Sequence, residues 1–290
     1  MKYIFFGTPK FASIILEELI KAGLTPEALV CNPDEPIGRK KIMTSPDTKS
    51  LILDKKINIP VFQPKKLSEI KNELKNIGAD IFIVAAYNKI ISEEIINIPK
   101  FKTIGIHPSL LPNYRGPSPI QTAILKGDKK TGVDLFLIDK EIDHGPILAS
   151  TECEISEKDS YETLEKKLAE LGAKLLIENL NKYLSGELKA KEQDHSKATF
   201  TKKFSTEDGH VDLDKDLPLL IINKIRAISH DPGVFTFINT KNEHPSEQTG
   251  KRLKLLEAEL KDGKLELLKV QPEGKKPMSF KDFLNGSRNG

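Results

Sequence analysis

The sequence contains few cysteines and no long hydrophobic run. Its two cysteines, Cys31 and Cys153, are too few for a disulfide framework and lack the spacing of metal ligands. No stretch approaches the roughly 20 apolar residues that a membrane-spanning helix needs, and the apolar start of the chain lacks the small-residue cleavage site of a signal peptide. These absences predict a cytoplasmic protein with free thiols, no bound metal and no membrane contact. The net charge of +3 gives little support for a polyanionic partner.

Two common motifs of enzyme active sites are also missing. Gly7 follows the first apolar run, but the G-x-G-x-x-G spacing of dinucleotide-binding proteins is absent, and Asn32 stands where an acidic residue would end the second strand. A glycine that permits a tight turn from strand to helix is the simpler interpretation. No serine or cysteine occupies a nucleophile elbow, which favours direct group transfer over a covalent intermediate.

Short apolar runs alternate with helical patterns over the first two thirds of the chain. A strand-like run from Tyr3 to Phe6 is followed by helical spacing of apolar residues, and the alternation continues to a long amphipathic helix from about Ser160 to Ser185. This alternation predicts an α/β, Rossmann-like domain with a mostly parallel sheet at residues 1–188. A polar linker is expected at residues 189–203. A helical pattern at Pro218–Ile228 and short strand-like runs, at Val234–Ile238, Leu253–Glu257, Lys264–Lys269 and Met278–Leu284, then predict a smaller C-terminal β-barrel domain, similar to an OB fold, at residues 204–290.

The most informative segment is the proline-rich stretch at residues 105–120. Its prolines exclude a helix interior, and His107 stands where a predicted strand ends. Ligands of open parallel sheets bind beyond the carboxyl ends of the strands, so we expect loops 85–89 and 107–115 to meet there with the region around Asp143. An imidazole can polarise a carbonyl or move a proton near neutral pH, and a carboxylate can hold the ring or accept the proton. His107 and Asp143 are therefore candidate catalytic residues, with a structural histidine as the alternative.

Several longer stretches resemble methionyl-tRNA formyltransferases, and together they cover nearly the whole chain. They are Phe6–Ala12, Asn32–Lys41, Val84–Tyr87, Ser109–Pro112, Arg115–Ile120, Asp143–Ile147, Asp231–Phe235 and Lys269–Leu284. The Ser-Leu-Leu-Pro loop is shared by folate-dependent formyltransferases in general, whereas the C-terminal matches point to tRNA. The resemblance implies transfer of a formyl group from 10-formyltetrahydrofolate to the amino group of initiator methionyl-tRNA, without a metal ion.

The resemblance also implies which residues act. His107 and Asp143 match two members of the family's catalytic set of asparagine, histidine and aspartate, whereas Gly105 stands where the asparagine belongs. The amide of that asparagine would donate a hydrogen bond to the oxygen that gains charge, and losing one such donor can cost on the order of 100- to 1,000-fold in rate. Either catalysis is impaired or another donor replaces the amide, and Asn88 is the candidate replacement. The expected folate-site residues are Ser109, Leu110, Leu111, Pro112 and Tyr87.

A polar loop is predicted at residues 33–46, and a basic cluster within its segment 33–43 is the expected tRNA contact, with a solvated surface as the alternative. In the family the matching loop enters the end of the acceptor stem, which implies contacts from Arg39, Lys40 and Lys41. Two other functions stay open. One is a tRNA-binding homologue whose catalysis has lapsed because of Gly105, and the other is a formyltransferase for an amino sugar nucleotide. We expect a monomer, since the sequence has no coiled-coil heptads.

Overall fold

Strands and helices alternate along most of the chain in the computed structural model, which describes residues 1–38, 41–238 and 250–288. Two units can be distinguished. The first comprises Met1–Pro119, Lys130–Glu154 and Thr163–Thr201, and the second comprises Ile120–Lys129, Ile155–Glu162 and Lys202–Gly290. The first unit thus includes most of the segment expected to be a linker. The domain bounds expected from the sequence stay a prediction.

Helix α6 (Tyr161–Leu184) is the longest element in the described part of the chain. In chain order they are β1 (Tyr3–Gly7), α1 (Lys10–Lys21), β2 (Ala28–Val30), β3 (Glu35–Ile37), β4 (Ile42–Thr44), α2 (Asp47–Asp54), β5 (Val61–Phe62), α3 (Lys71–Ile77), β6 (Ile81–Ala85), α4 (Glu93–Ile96), β7 (Thr103–His107), α5 (Pro119–Lys126), β8 (Lys130–Leu137), β9 (Ile147–Glu154), α6 (Tyr161–Leu184), α7 (Pro218–Ile228), β10 (Val234–Ile238), β11 (Lys251–Lys261), β12 (Lys264–Pro272), β13 (Met278–Ser279) and α8 (Phe280–Arg288). None of the helices in the described part of the chain has both the length and the apolar character needed to cross a membrane.

The first unit contains a seven-stranded sheet in the order β5-β2-β1-β6-β7-β8-β9. The strands from β5 to β7 are parallel, while β8 and β9 each run antiparallel to the preceding strand. In β1, the side chains of Ile4, Phe5 and Phe6 have no exposed surface. A strand that is buried on both faces needs such a continuous apolar run, which is what the sequence contains. The mostly parallel, Rossmann-like sheet is therefore confirmed.

Helix α6 packs closely on β7 and β8 at Gly172. A Cβ atom at this glycine would lie 2.9 Å from Cγ2 of Ile106 and 3.2 Å from Cγ1 of Val133, so the small residue permits the approach. Leu168 and Leu176, two apolar residues of the predicted amphipathic helix, are fully buried. This packing fixes the end of β7, where His107 lies.

The second unit contains an antiparallel sheet in the order β10-β11-β12-β13, and helix α7 packs on β11. Ile221 and Ile225 of the helix are buried, as are Leu253 and Leu255 of the strand. Both α7 and β10 have the bounds that the apolar pattern predicts. The β-rich character of the C-terminal part is therefore confirmed.

Two local predictions are wrong. The segment 33–46, expected to be a polar loop, contains the antiparallel strands β3 and β4, which are only three residues long and too short to give a strand signal. The strand-like segment expected at 278–284 ends at Ser279, where helix α8 begins. The Ser279 hydroxyl accepts the backbone N–H of Asp282 at 3.0 Å, which satisfies one of the unpaired donors of the first helical turn.

Candidate active site

His107 is the last residue of β7, at the carboxyl end of the parallel part of the sheet. The neighbouring antiparallel strand β8 brings Asp134 opposite His107 and Phe136 opposite Gly105. Residues that lie opposite each other in an antiparallel pair share a face, and so do residues two apart on one strand. These four positions therefore lie together on one face of the sheet.

Both nitrogens of the His107 ring have a neighbour, and only 6% of the residue is exposed. Nε2 lies 3.0 Å from the carbonyl oxygen of Tyr114, and Nδ1 lies 3.6 Å from Oδ2 of Asp143. A carbonyl oxygen can only accept, so Nε2 carries a proton that it donates to Tyr114. Nδ1 is therefore the ring nitrogen that faces the Asp143 carboxylate.

Asp143 lies in the loop between β8 and β9, with a backbone φ of +49°. Its Oδ2 accepts the backbone N–H of Gly116 at 2.7 Å, and 21% of its side chain is exposed. The left-handed backbone turns the carboxylate toward the loop that follows β7. The structure thus brings His107 and Asp143 within ion-pair distance across 36 positions of sequence, while their catalytic roles stay a prediction.

Gly105 has no room for a side chain. A Cβ atom there would lie 2.3 Å from Cε1 and 2.6 Å from Cζ of Phe136, whose ring meets the His107 ring edge-on at a centroid distance of 6.4 Å. The phenyl ring therefore occupies the space that an asparagine side chain at position 105 would enter. Sequence reasoning missed Phe136, because the contact depends on the register between β7 and β8.

Asp134 is a second carboxyl group beside His107, and it too was missed. It is 1% exposed; its Oδ2 accepts the backbone N–H of Leu111 at 2.7 Å, and its Oδ1 has no hydrogen-bond partner. Burial raises the pKa of Asp134 to about 6, against the opposing effects of hydrogen bonds from Ser150 and Leu111 and of the nearby His107. A lone aspartate in the apolar run of β8 was the signal that could have identified it.

The loop at residues 109–112, expected to bind folate, is held by its own hydrogen bonds. Ser109 is fully buried, and its hydroxyl donates to the carbonyl oxygen of Asn113 at 2.6 Å. Leu111 is also buried, whereas Leu110 and Pro112 are half-buried. The side chains of Leu110 and Pro112 are therefore the more accessible part of this loop.

The other expected site residues near the sheet lie in different surroundings. Tyr87 belongs to the core, where its ring packs edge-on against Phe6 at a centroid distance of 5.6 Å. Its hydroxyl is buried without a partner, and burial raises the pKa of Tyr87. Asn88, the candidate replacement donor, is exposed. Its role stays a hypothesis.

Of the three expected tRNA contacts, only Lys41 is described; Arg39 and Lys40 lie outside the described residues. Lys41 is exposed in the turn between β3 and β4, and its backbone N–H donates to the carbonyl oxygen of Gly38 at 3.1 Å. An exposed lysine on a hairpin turn is available to a phosphate group, so the expectation for Lys41 stays a prediction.

The arrangement is suited to moving protons and stabilising charge. Nδ1 of the His107 ring faces the partly exposed carboxylate of Asp143, and the buried carboxyl group of Asp134, whose pKa is raised, lies beside the ring. Within residues 1–38, 41–238 and 250–288, no group of three or more His, Cys, Asp or Glu side chains is placed to hold a metal ion. His107, Asp143 and Asp134 are groups that can take part in acid–base and electrostatic chemistry.

Known proteins resemble this chain over most of its length. The model of the formyl transferase family matches residues 1–180. Methionyl-tRNA formyltransferase from Thermotoga maritima is 36% identical over 302 residues, which cover 99% of this chain and 95% of the relative. The protein of the same name from Campylobacter lari is 41% identical over 98% of this chain and 96% of its own length. The similarity extends through both units.

Solved structures share the fold at low sequence identity. Methionyl-tRNA formyltransferase from Clostridium thermocellum superposes with a TM-score of 0.60 at 18% identity, over 94% of this chain and 99% of that chain. HypX from Aquifex aeolicus, solved in complex with tetrahydrofolic acid, gives a TM-score of 0.67 at 16% identity; this chain spans 48% of its length. These structures support the architecture described above.

Proposed function

The chain belongs to the formyl transferase family as one of its methionyl-tRNA formyltransferases, and we propose that it transfers a formyl group from 10-formyltetrahydrofolate to the amino group of initiator methionyl-tRNA. The observation that carries the proposal is a match at 36–41% identity over nearly the full length of the relatives. A match to the first unit alone would fit formyltransferases with other acceptors. The similarity that continues through the second unit favours tRNA as the acceptor.

The reaction forms one carbon–nitrogen bond and breaks another. The neutral amine of the methionyl group attacks the formyl carbon, and the bond from that carbon to N10 of the folate breaks. The amine loses one proton, and N10 gains one. Because an α-amino group has a pKa of about 8, much of the amine is protonated near pH 7, so groups that hold protons and charge assist the transfer.

His107 and Asp143 are the proposed catalytic residues. The Nε2–H of His107 donates to the carbonyl oxygen of Tyr114. A proton at Nδ1 is therefore the one that would stabilise the formyl oxygen as it gains negative charge. Asp143 lies 3.6 Å from Nδ1, within reach of a charge on the ring. Since carboxylates are weak bases at neutral pH, we assign Asp143 an electrostatic role, which also orients the ring.

The folate site is proposed at the loop 109–112 together with Tyr87. Leu110 and Pro112, the half-buried members, are the proposed direct contacts. Ser109 and Leu111 would act by holding the loop, since their polar groups are already bonded within it or to Asp134. Apolar side chains of this kind suit the flat ring system of a pterin cofactor.

The proposal is tested by incubating the purified protein with 10-formyltetrahydrofolate and charged initiator tRNA. We expect formyl-methionyl-tRNA to accumulate catalytically, and no product with an amino sugar nucleotide as acceptor. Tight binding of tRNA without turnover would instead support the homologue whose catalysis has lapsed. Turnover of the sugar nucleotide alone would support the other enzyme. Methionyl elongator tRNA serves as the control that measures discrimination between the two tRNA classes.

A further inference from the structure

The segment at residues 191–201, expected to be a polar linker, is hydrogen-bonded to both loops that carry the candidate site. Ile147 and Lys191 exchange two backbone hydrogen bonds of 2.8 Å each, beside the loop of Asp143. The backbone N–H of Arg115 donates to Thr199 at 2.9 Å, and that of Thr201 donates to Arg115 at 2.8 Å. The segment therefore lies along the candidate site, and its backbone pairs with the chain on either side of it.

Gln193 is the point where this segment contacts the Asp143 loop through a side chain. It is 6% exposed, and its Nε2 donates to the carbonyl oxygens of Asp143 at 3.0 Å and Gly145 at 2.7 Å. Its Oε1 accepts from Nε and Nη2 of Arg115 at 3.2 and 2.6 Å. Rotating the amide by 180° would oppose donor to donor and acceptor to acceptor, so its orientation is fixed.

Arg115 completes the connection to the carboxylate. The residue is 3% exposed, and Gly116, the next residue, donates its backbone N–H to Oδ2 of Asp143 at 2.7 Å. Nη2 of Arg115 also lies 2.9 Å from Nδ1 of His195, whose ring stacks on that of His144 at a centroid distance of 4.0 Å. Gln193 thus bonds the backbone of Asp143, Gly116 bonds its side chain, and Arg115 connects the two.

We propose that Gln193 is a positioning residue for Asp143, which it holds in the left-handed conformation through the carbonyl oxygens of Asp143 and Gly145. A non-glycine residue with φ of +49° persists only where its surroundings hold it, and Gln193 supplies two of the bonds that do so. The distance from Asp143 to Nδ1 of His107 then depends on a residue from outside both catalytic loops. This inference rests on the proposed formyl transfer.

The test is Gln193→Glu, which keeps the shape of the side chain and an oxygen that accepts from Arg115. It replaces the donating Nε2 with a second oxygen, so both hydrogen bonds to the carbonyl oxygens of Asp143 and Gly145 are lost. We expect kcat for formyl transfer to fall about 10- to 100-fold, since displacement of a reacting group by about 1 Å costs that order of rate. The KM for each substrate should change less than about threefold, because Gln193 is not placed in either binding site. Gln121→Glu in helix α5 makes the same chemical change at a residue outside the candidate site and should leave kcat unaltered.

A double-mutant cycle with Asp143→Asn separates positioning from general stability. If Gln193 acts through Asp143, Gln193→Glu should add less than about a twofold loss once the carboxylate is gone. An equal loss in both backgrounds, or no loss in the wild-type background, would overturn the inference. If Gln193→Glu does not fold, Gln193→Asn, which keeps the amide but shortens its reach, enters the same cycle. Wild-type enzyme without any turnover would refute the proposed function itself.

Discussion

Restoring asparagine at position 105 should not restore a catalytic amide, because Phe136 already fills the space. The new Cβ atom would lie 2.3 Å from Cε1 of Phe136, well inside the ordinary contact distance of about 3.5–4 Å between carbon atoms. Phe136 is 4% exposed and cannot move toward solvent without leaving the core. Overpacking of this kind costs about 1–3 kcal/mol, so Gly105→Asn should lower the free energy of unfolding by that amount without raising kcat.

The double variant Gly105→Asn with Phe136→Ala gives the matching test. Phe136→Ala alone should cost about 3–5 kcal/mol through the cavity it leaves. In the double variant the asparagine side chain enters that cavity, so the combined loss should be smaller than the sum by about 1–3 kcal/mol, and kcat should exceed that of Phe136→Ala.

Urea unfolding and the formylation assay measure both effects. Gly286→Asn is the matched control, since a Cβ atom at this exposed helical glycine meets nothing within 4 Å. Gly105→Asn with an unchanged unfolding free energy and a higher kcat would refute the reasoning.

Three further predictions concern single residues. Burial raises the pKa of Asp134 to about 6 in the folded state, so between about pH 4 and 6 the folded chain binds this proton more tightly than the unfolded chain and wild-type stability falls as pH rises. Relative to Asp134→Asn, the unfolding free energy of the wild type measured in urea should therefore fall by about 2.5 kcal/mol from pH 4 to pH 8, and parallel pH profiles would contradict this. Asn88→Gly should lower kcat on the order of 100-fold if Asn88 supplies the replacement donor, and an unaltered rate would end that hypothesis. Lys41→Ala should reduce the slope of log affinity for tRNA against log salt concentration by about 1, whereas an unchanged slope would exclude a phosphate contact.

Local patterns were sufficient for much of the fold. Helix α7 and strand β10 have the predicted bounds because their apolar residues follow one clear period. The segment after Met278 failed because Phe280, Phe283 and Leu284 fit a helix as well as a short strand, and the Ser279 cap decides between them. Patterns of this length do not distinguish the two without the cap.

Site residues could be predicted only where a chemically reactive side chain stands at a strand end or in a loop that the sequence itself marks. His107 at a strand end and Asp143 in a later loop could be identified as candidates, and the structure places them 3.6 Å apart. Phe136 could not, because it enters the site through the antiparallel register of β8 on β7, and for Asp134 the only signal was its isolated charge in an apolar run. Gln193 lies in a polar segment whose composition indicates solvent exposure, and only tertiary hydrogen bonds bury it.

The central claim is that His107 opposite Asp143 carries formyl transfer to methionyl-tRNA. It is tested most directly by single-turnover formylation with His107→Asn, at saturating tRNA and 10-formyltetrahydrofolate, with tRNA affinity measured in parallel. We expect a rate lower by about 100- to 1,000-fold at unchanged tRNA affinity, since one group that stabilises the developing charge is lost. A folded variant that transfers the formyl group within about twofold of the wild-type rate would contradict it.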